Sequence, residues 1–277
     1  LELFQATGSF KPRGTFNQAL GLTDSQRASG VVAFSGGNFA RAVGYAGGVL
    51  GLDTVVVMPE AAPQSSIDAT REFGATVEVT PSVAAMIDRA GQLEAAGRAS
   101  LHPFDHPRMV AGNASMGLEL YEQAPDATHV FISIGGGGFI TGVGSALRLL
   151  NPAIKLFGVE THGSATMSTS LQAGEVVDYQ PTSKASTLNA PFVSQGALEF
   201  AQANLEDVLL ASDADALRAL SELADTAKIV PELAAAVTLA AARQLTYPPD
   251  AHVVLVMCGG NISLSEIAQL HRDLNPS

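Results

Sequence analysis

Four short stretches of this sequence combine residue types that can do chemistry at spacings that would let them. The first is Ala6-Thr7-Gly8-Ser9-Phe10-Lys11-Pro12-Arg13-Gly14. Pro12 favours an extended backbone at Lys11 and suits the first position of a following helix, so Lys11 is expected at or near an N-cap. The positive end of a helix dipole disfavours an ammonium there, and a neutral lysine amine is what attacks an aldehyde to form an imine. Taken alone, a lysine beside a proline reads equally as a solvated surface residue.

The second stretch, Ser35-Gly36-Gly37-Asn38-Phe39, follows an apolar run and opens a helical pattern. Such a turn offers backbone N–H groups and a helix N-terminus to an anion, and a carboxylate suits it. Asn38 adds an amide able to reach a ring hydroxyl; the plain alternative is a βα turn with Asn38 as N-cap. The third, Gly135-Gly136-Gly137-Gly138, again lies between an apolar strand and a helix and reads as a phosphate cradle. It lacks the Lys-Ser/Thr ending of a P-loop and does not match G-x-G-x-x-G, although Glu160 lies where a ribose-binding acid would invite the comparison. The fourth, Met257-Cys258-Gly259-Gly260-Asn261, places a small weak donor at a strand end above glycines, where it can touch a ligand or serve as a buried structural thiol.

The elements that must position these residues alternate regularly. β-branched runs at 31–34, 54–58, 76–79, 129–134, 154–159 and 252–257 are followed by Ala/Leu-rich stretches, and helices are expected at 38–50, 63–73, 82–96, 108–122, 139–150, 213–227 and 232–245. That is the pattern of βαβ units, an α/β fold with parallel sheets. No internal repeat is visible. Loop signals at 25–30 and 102–108 suggest the lobe boundaries, and the Pro/Ser/Thr/Asn-rich segment 178–191 is expected to cross the surface as a long loop, functional or merely connecting.

Composition excludes several function classes. The 277 residues and 47% apolar content supply a core for one large unit or two lobes. With 27 acidic against 15 basic residues the net charge is −12, which repels nucleic acid and anionic membranes. The uncharged stretch 127–147 approaches membrane-spanning length, but its four central glycines make it a strand, a loop and a helix. One cysteine and no leader pattern fit the cytoplasm, and the six histidines show no ligand spacing, so no metal site is expected.

Together and in this order, the four stretches resemble the fold-type II pyridoxal-phosphate (PLP) enzymes, tryptophan synthase β-like in fold, and within them the threonine and serine dehydratases and the related serine racemases. His102-Pro103-Phe104-Asp105 and residues 111–119 extend the likeness over nearly the whole chain. The resemblance implies two lobes, each a mainly parallel twisted sheet flanked by helices: a large PLP-binding domain of 1–27 and 111–277, and a small domain of 28–110. It implies that Lys11 carries the cofactor as a Schiff base and acts as the base, with Phe10 packed on the pyridine ring. Ser35, Gly36, Gly37, Asn38 and Phe39 would bind the substrate carboxylate, with Asn38 also reaching the ring oxygen. Gly135, Gly136, Gly137 and Gly138 would hold the phosphate, Cys258 would face the ring nitrogen, and Glu232 would line the pocket.

The implied activity is β-elimination from L-serine, L-threonine or a related hydroxy amino acid, giving a 2-oxo acid and ammonia, by a cytoplasmic homodimer. The chain departs from the family pattern at Leu233-Ala234-Ala235, where Pro-Gly-Gly is usual, at Asn189 in place of a glycine, and at Cys258 in place of the commoner serine. Gly36 replaces the second acid/base serine of racemases, and Phe39-Ala40 the Thr-Gly of cysteine synthases. The alternatives are therefore a racemase, a β-replacement enzyme, or a non-catalytic relative with a shortened segment before Lys11.

Overall fold

Val31, Val32 and Ala33 are buried side by side, as are Val55, Val56, Val57 and Met58, so these strands lack the alternation of a half-exposed sheet. Strands buried on both faces need helices on both faces, which parallel βαβ connections provide. The computed structural model describes residues 1–274, which divide by packing into two units, 5–113 and 1–4 with 114–274.

The smaller unit runs α1 (Lys11–Leu20), α2 (Asp24–Ser29), β1 (Val31–Phe34), α3 (Asn38–Leu50), β2 (Thr54–Pro59), α4 (Gln64–Glu72), β3 (Thr76–Thr80), α5 (Val83–Ala95) and β4 (Ala99–Ser100), followed by the start of α6 (Pro107–Gln123). Its sheet has the order β3-β2-β1-β4, all parallel, with Val31 paired to Thr54 on one side and to Ala99 on the other. Period-two alternation divides its core. Val31, Ala33, Val56 and Met58 pack with Phe39, Val43 and Ile67 of α3 and α4, while Val32, Val55 and Val57 pack with Met86 and Ala90 of α5.

The larger unit contains β5 (His129–Ser133), α7 (Gly138–Leu150), β6 (Lys155–Thr161), α8 (Thr166–Ala173), α9 (Gln195–Asn204), β7 (Asp207–Ala211), α10 (Asp213–Thr226), α11 (Leu233–Ala242), β8 (Val253–Leu255) and α12 (Leu264–Leu274). Its parallel sheet has the order β7-β6-β5-β8. Phe131 and Phe157 stack at 4.8 Å on one face and join Leu209, Leu217, Leu220 and Val237 in its core. Although the sequence shows no repeat, both units therefore have one topology: three strands proceed in order to one side and the fourth returns to the other side of the first.

Several expectations shift. Residues 5–27 pack with the smaller unit rather than the larger, because α1 lies along α3 and meets α6 at Gly14 and Gly112; a Cβ on Gly112 would lie 2.4 Å from the Arg13 carbonyl oxygen. The expected loop at 25–30 is the short helix α2, closed by a capping box between Thr23 and Gln26. Lys11 is the first helical residue rather than extended, and Asn38 follows Gly37, the actual N-cap of α3. β4, β7, α8, α9 and α12 had no sequence signal strong enough to name. Segment 178–191 is the expected loop with exposed Asp178, Gln180, Thr182, Lys184 and Ser186, but it is anchored: Ser183, Ala185, Leu188 and Ala190 are buried, and the Ser164 and Thr166 hydroxyls donate to the Leu188 and Ala190 carbonyls at 2.7 and 3.0 Å.

The approach of α1 to α6 is backbone against backbone, so no side chain can rotate away to relieve it. Gly112→Ala is expected to lower the unfolding free energy by about 1–3 kcal/mol or more, read from urea denaturation.

Candidate active site

In open parallel sheets, ligands sit beyond the carboxyl ends of the strands where the strand order reverses. In the smaller unit that point lies between β1 and β4. β1 runs into Ser35–Phe39: Ser35 N–H continues the ladder to the Val57 carbonyl at 3.1 Å, and Gly37 N–H donates to the Ser35 hydroxyl at 3.2 Å. Helix α3 then opens with no side-chain cap, and Asn38 and Phe39 are buried. β4 runs through Leu101, whose N–H bonds the Val32 carbonyl at 2.9 Å, into His102-Pro103-Phe104-Asp105.

Lys11 joins these two turns. Its Nζ donates to the Pro103 carbonyl at 2.7 Å and lies 5.1 Å from the Phe10 ring centroid and 5.6 Å from that of Phe39. The aromatic faces attract the cation, and the part-buried Lys11 is held by the Pro103 carbonyl rather than extended freely into solvent. Two residues earlier, the fully buried Ser9 hydroxyl has no hydrogen-bond partner. Lys11, Phe10, Asn38 and Phe39 thus belong to one end of one sheet. His102 and Pro103 complete that end; the sequence marked them only as part of a familiar stretch.

In the larger unit the order reverses between β5 and β8. After β5, Ile134 N–H bonds the Val159 carbonyl at 2.8 Å, Gly137 adopts φ +89°, and α7 opens at Gly138 with no side-chain cap. A Cβ on Gly137 would lie 2.3 Å from Cβ of Ala197, so this position demands glycine for both space and conformation. Beyond β8, Cys258 Sγ lies 3.5 Å from the Ser133 hydroxyl, across the reversal itself. Glu232, just before α11, is tied by its N–H to the Gly259 carbonyl at 3.0 Å and accepts from the Thr187 hydroxyl at 3.0 Å. Gly135 to Gly138, Cys258 and Glu232 are therefore also at one end of one sheet, with Ser133 and Thr187 as additional members. Leu233, Ala234 and Ala235 form the buried first turn of α11, and Asn189 donates to the Ser183 carbonyl at 2.9 Å while its Oδ1 is buried without a partner.

Glu160 is not a ribose ligand. Fully buried at the end of β6, it accepts from Met167 N–H at 2.7 Å and from Ser168 N–H and hydroxyl at 2.9 and 2.8 Å, closing the N-terminus of α8. Burial pushes its carboxyl up to about 7, against the opposing pull of these bonds. Met167 in turn brings its Cε to within 3.6 Å of a Cβ position on Gly137.

A family model described as "Pyridoxal-phosphate dependent enzyme" matches residues 1–259. The chain belongs to the pyridoxal-phosphate dependent enzyme family. It is 34% identical to the catabolic L-threonine dehydratase TdcB of Escherichia coli (strain K12), across 97% of this chain and 84% of that one. Among solved structures it is similar to the processed form of threonine deaminase isoform 2 from Solanum lycopersicum (TM-score 0.92, 28% identity, 100% of this chain and 82% of that one). It is also similar to maize serine racemase (TM-score 0.91, 27% identity, 99% and 86%).

The residues present fit a pyridoxal-phosphate enzyme. A primary amine is the nucleophile an aldehyde needs, and a glycine turn that no side chain can fill, at a helix start without a side-chain cap, suits a phosphate. Among the described residues no helix is long and apolar enough to cross a membrane and no group of His, Cys, Asp and Glu could hold a metal ion.

Gly137→Ala combines left-handed strain with a backbone-side collision, so it should lose about 2–4 kcal/mol of stability. Gly135→Ala, whose Cβ meets nothing closer than 3.4 Å, should melt within a few degrees of the wild type. For Glu160, a folded-state value near 7 against the ordinary 4.5 means that the folded chain keeps a proton the unfolded chain has released. The resulting stability is present below about 4.5 and is lost as pH rises to about 7, so the difference between wild type and Glu160→Gln in denaturant titrations should shrink over that range.

Proposed function

We propose that this chain removes water from serine, threonine or a related β-hydroxy amino acid and releases a 2-oxo acid and ammonia, with Lys11 as both cofactor tether and base. The observation that carries the reading is the Lys11 amine, held at 2.7 Å by the Pro103 carbonyl at the same strand reversal that presents the Ser35–Phe39 turn. Similarity to a threonine dehydratase at 34% identity over nearly the whole chain supports the reaction class.

In this reading Asn38 and the amides of Ser35 to Phe39 hold the substrate carboxylate beside the start of α3. Gly135 to Gly138 hold the cofactor phosphate by backbone amides and the dipole of α7. Phe10 would pack on the cofactor ring, Cys258 would face its nitrogen and Glu232 would line the pocket. When bound, pyridoxal phosphate supplies the electron sink that makes the α-proton labile. With pyridoxal phosphate in place, the free Lys11 Nζ would take the α-proton and could return it to the departing β-hydroxyl, which leaves as water; one water is consumed again in the hydrolysis that frees ammonia. Cys258 is a weak donor rather than a carboxylate, so it does not oblige the ring nitrogen to stay protonated, which favours elimination over transamination. A cytoplasmic homodimer belongs to the same reading.

The second reading, racemisation, is favoured by the likeness to maize serine racemase and opposed by Gly36, which offers no acid or base opposite Lys11. A panel of L-serine, L-threonine and threo-3-hydroxyaspartate, scored for 2-oxo acid, ammonia and D-serine, separates the two. Elimination predicts oxo acid and ammonia in equal amounts with no D-serine. Lys11→Ala should lower turnover by about 10³-fold or more and lose the visible absorbance of the lysine-bound cofactor; a yellow, active Lys11→Ala protein overturns the assignment.

A further inference from the structure

The acceptor that holds Lys11 is a carbonyl in a short turn with no regular secondary structure of its own, so something else must fix that turn. Two side chains do. His102 folds back on the turn it begins: its Nδ1 accepts from Asp105 N–H at 2.8 Å and from Phe104 N–H at 3.3 Å, the two amides that follow Pro103. The backbone of His102 is gripped on both sides by Gln18, whose Nε2 donates to the His102 carbonyl at 2.8 Å and whose Oε1 accepts from His102 N–H at 3.1 Å. Gln18 is buried and lies on α1 two turns beyond Lys11, on the same helix face. The chain of contacts closes on itself, from Lys11 along α1 to Gln18, to His102, to the Phe104 and Asp105 amides, and through Pro103 back to Lys11.

We propose that His102 and Gln18 are positioning residues that hold the Pro103 carbonyl in place for the Lys11 amine. This rests on the reading of Lys11 as the cofactor-bearing lysine. It goes beyond that reading in naming the side chains that fix its acceptor, and in giving the arrangement a pH dependence. An Nδ1 that accepts two backbone N–H bonds carries a lone pair, so the ring is neutral with its proton on Nε2. Protonation at Nδ1 would set a third N–H against the other two and release the turn.

The surroundings favour the neutral ring. It packs edge-to-face against Phe34 and Phe104 at 6.3 and 4.8 Å, and burial, more than any neighbouring charge, holds its pKa below the ordinary 6.5. The charged groups around it are Asp105, which pulls the other way, and Lys11 and His106, which add to the lowering. With the folded value depressed, the turn is fully formed above about 6.5 and is lost as pH falls through the lower folded value.

The test is the dissociation constant of pyridoxal phosphate from the holoenzyme, read from the absorbance of bound cofactor between about pH 5 and 8. His102→Asn places an amide oxygen where Nδ1 stands and cannot titrate in this range. It should bind as the wild type does at pH 8 and lack the acid-side weakening that the wild type shows. His102→Leu removes the acceptor and should bind about tenfold more weakly at every pH. Gln18→Leu, scored on protein that keeps the wild-type far-ultraviolet circular dichroism, should show a similar loss and covers the case in which His102→Leu does not fold. A wild-type acid limb that persists unchanged in His102→Asn, or wild-type affinity in both leucine variants, overturns the proposal. Cofactor retained by Lys11→Ala at wild-type affinity instead overturns the assignment of Lys11 beneath it, so the two failures are distinguishable.

Discussion

The groups proposed to bind and react all lie where the strand order of a parallel sheet reverses. A parallel sheet extended only to one side would pack each βα turn beside the next, leaving no gap at its carboxyl edge. Because β4 returns beside β1, and β8 beside β5, two turns diverge at each reversal and open a place for side chains. Lys11 meets the Pro103 carbonyl at the first, and Cys258 meets the Ser133 hydroxyl at the second. The apolar strands below are rigid because both faces are covered, so the groups at their ends are held by a packed lattice rather than by flexible loops.

On the proposed reading, the same geometry answers an electrostatic difficulty. A chain of net charge −12 is a poor host for a phosphate and an amino-acid carboxylate, and lysines or arginines massed at the site would be the obvious remedy. The turns at Gly135 to Gly138 and Ser35 to Phe39 instead present starts of α7 and α3 that no side chain caps. Backbone dipoles act within the first turn, well inside a Debye length, so they attract an anion already in the site without altering the acidic surface seen from afar. Glycine is the structural condition: at Gly137 a side chain would meet Ala197 before any ligand could approach.

How much of this was legible in the sequence follows from the range of the forces involved. The strands and the helices after them could be read because burial on both faces leaves a local signature, and the glycine turns because their cost in chain entropy is hard to explain otherwise. Strand β4 could not, being two residues long, nor could β7, a partly exposed edge strand without continuous burial. The segment 178–191 reads as a surface connector because its polar residues are unremarkable locally; what that reading misses is its anchoring, since Ser164, Thr166 and Asp213 accept or donate bonds from far along the chain. The unit boundary moved for the same reason, since nothing before Gly14 announces that it will meet Gly112.

Glu160 shows why residue type alone misleads at such sites. An acidic residue at a strand end beyond a glycine turn invites a ligand role, yet both its oxygens are engaged by the first turn of α8. Removing it would leave three donors facing a dry interior, a larger loss than any single exposed ion pair could offset. Its influence passes through Met167, whose side chain abuts the Gly137 turn, so a buried carboxyl away from that turn still bears on its shape. In this fold the distinction between core and site is therefore one of distance along a contact chain, and the buried polar residues at strand ends belong to both.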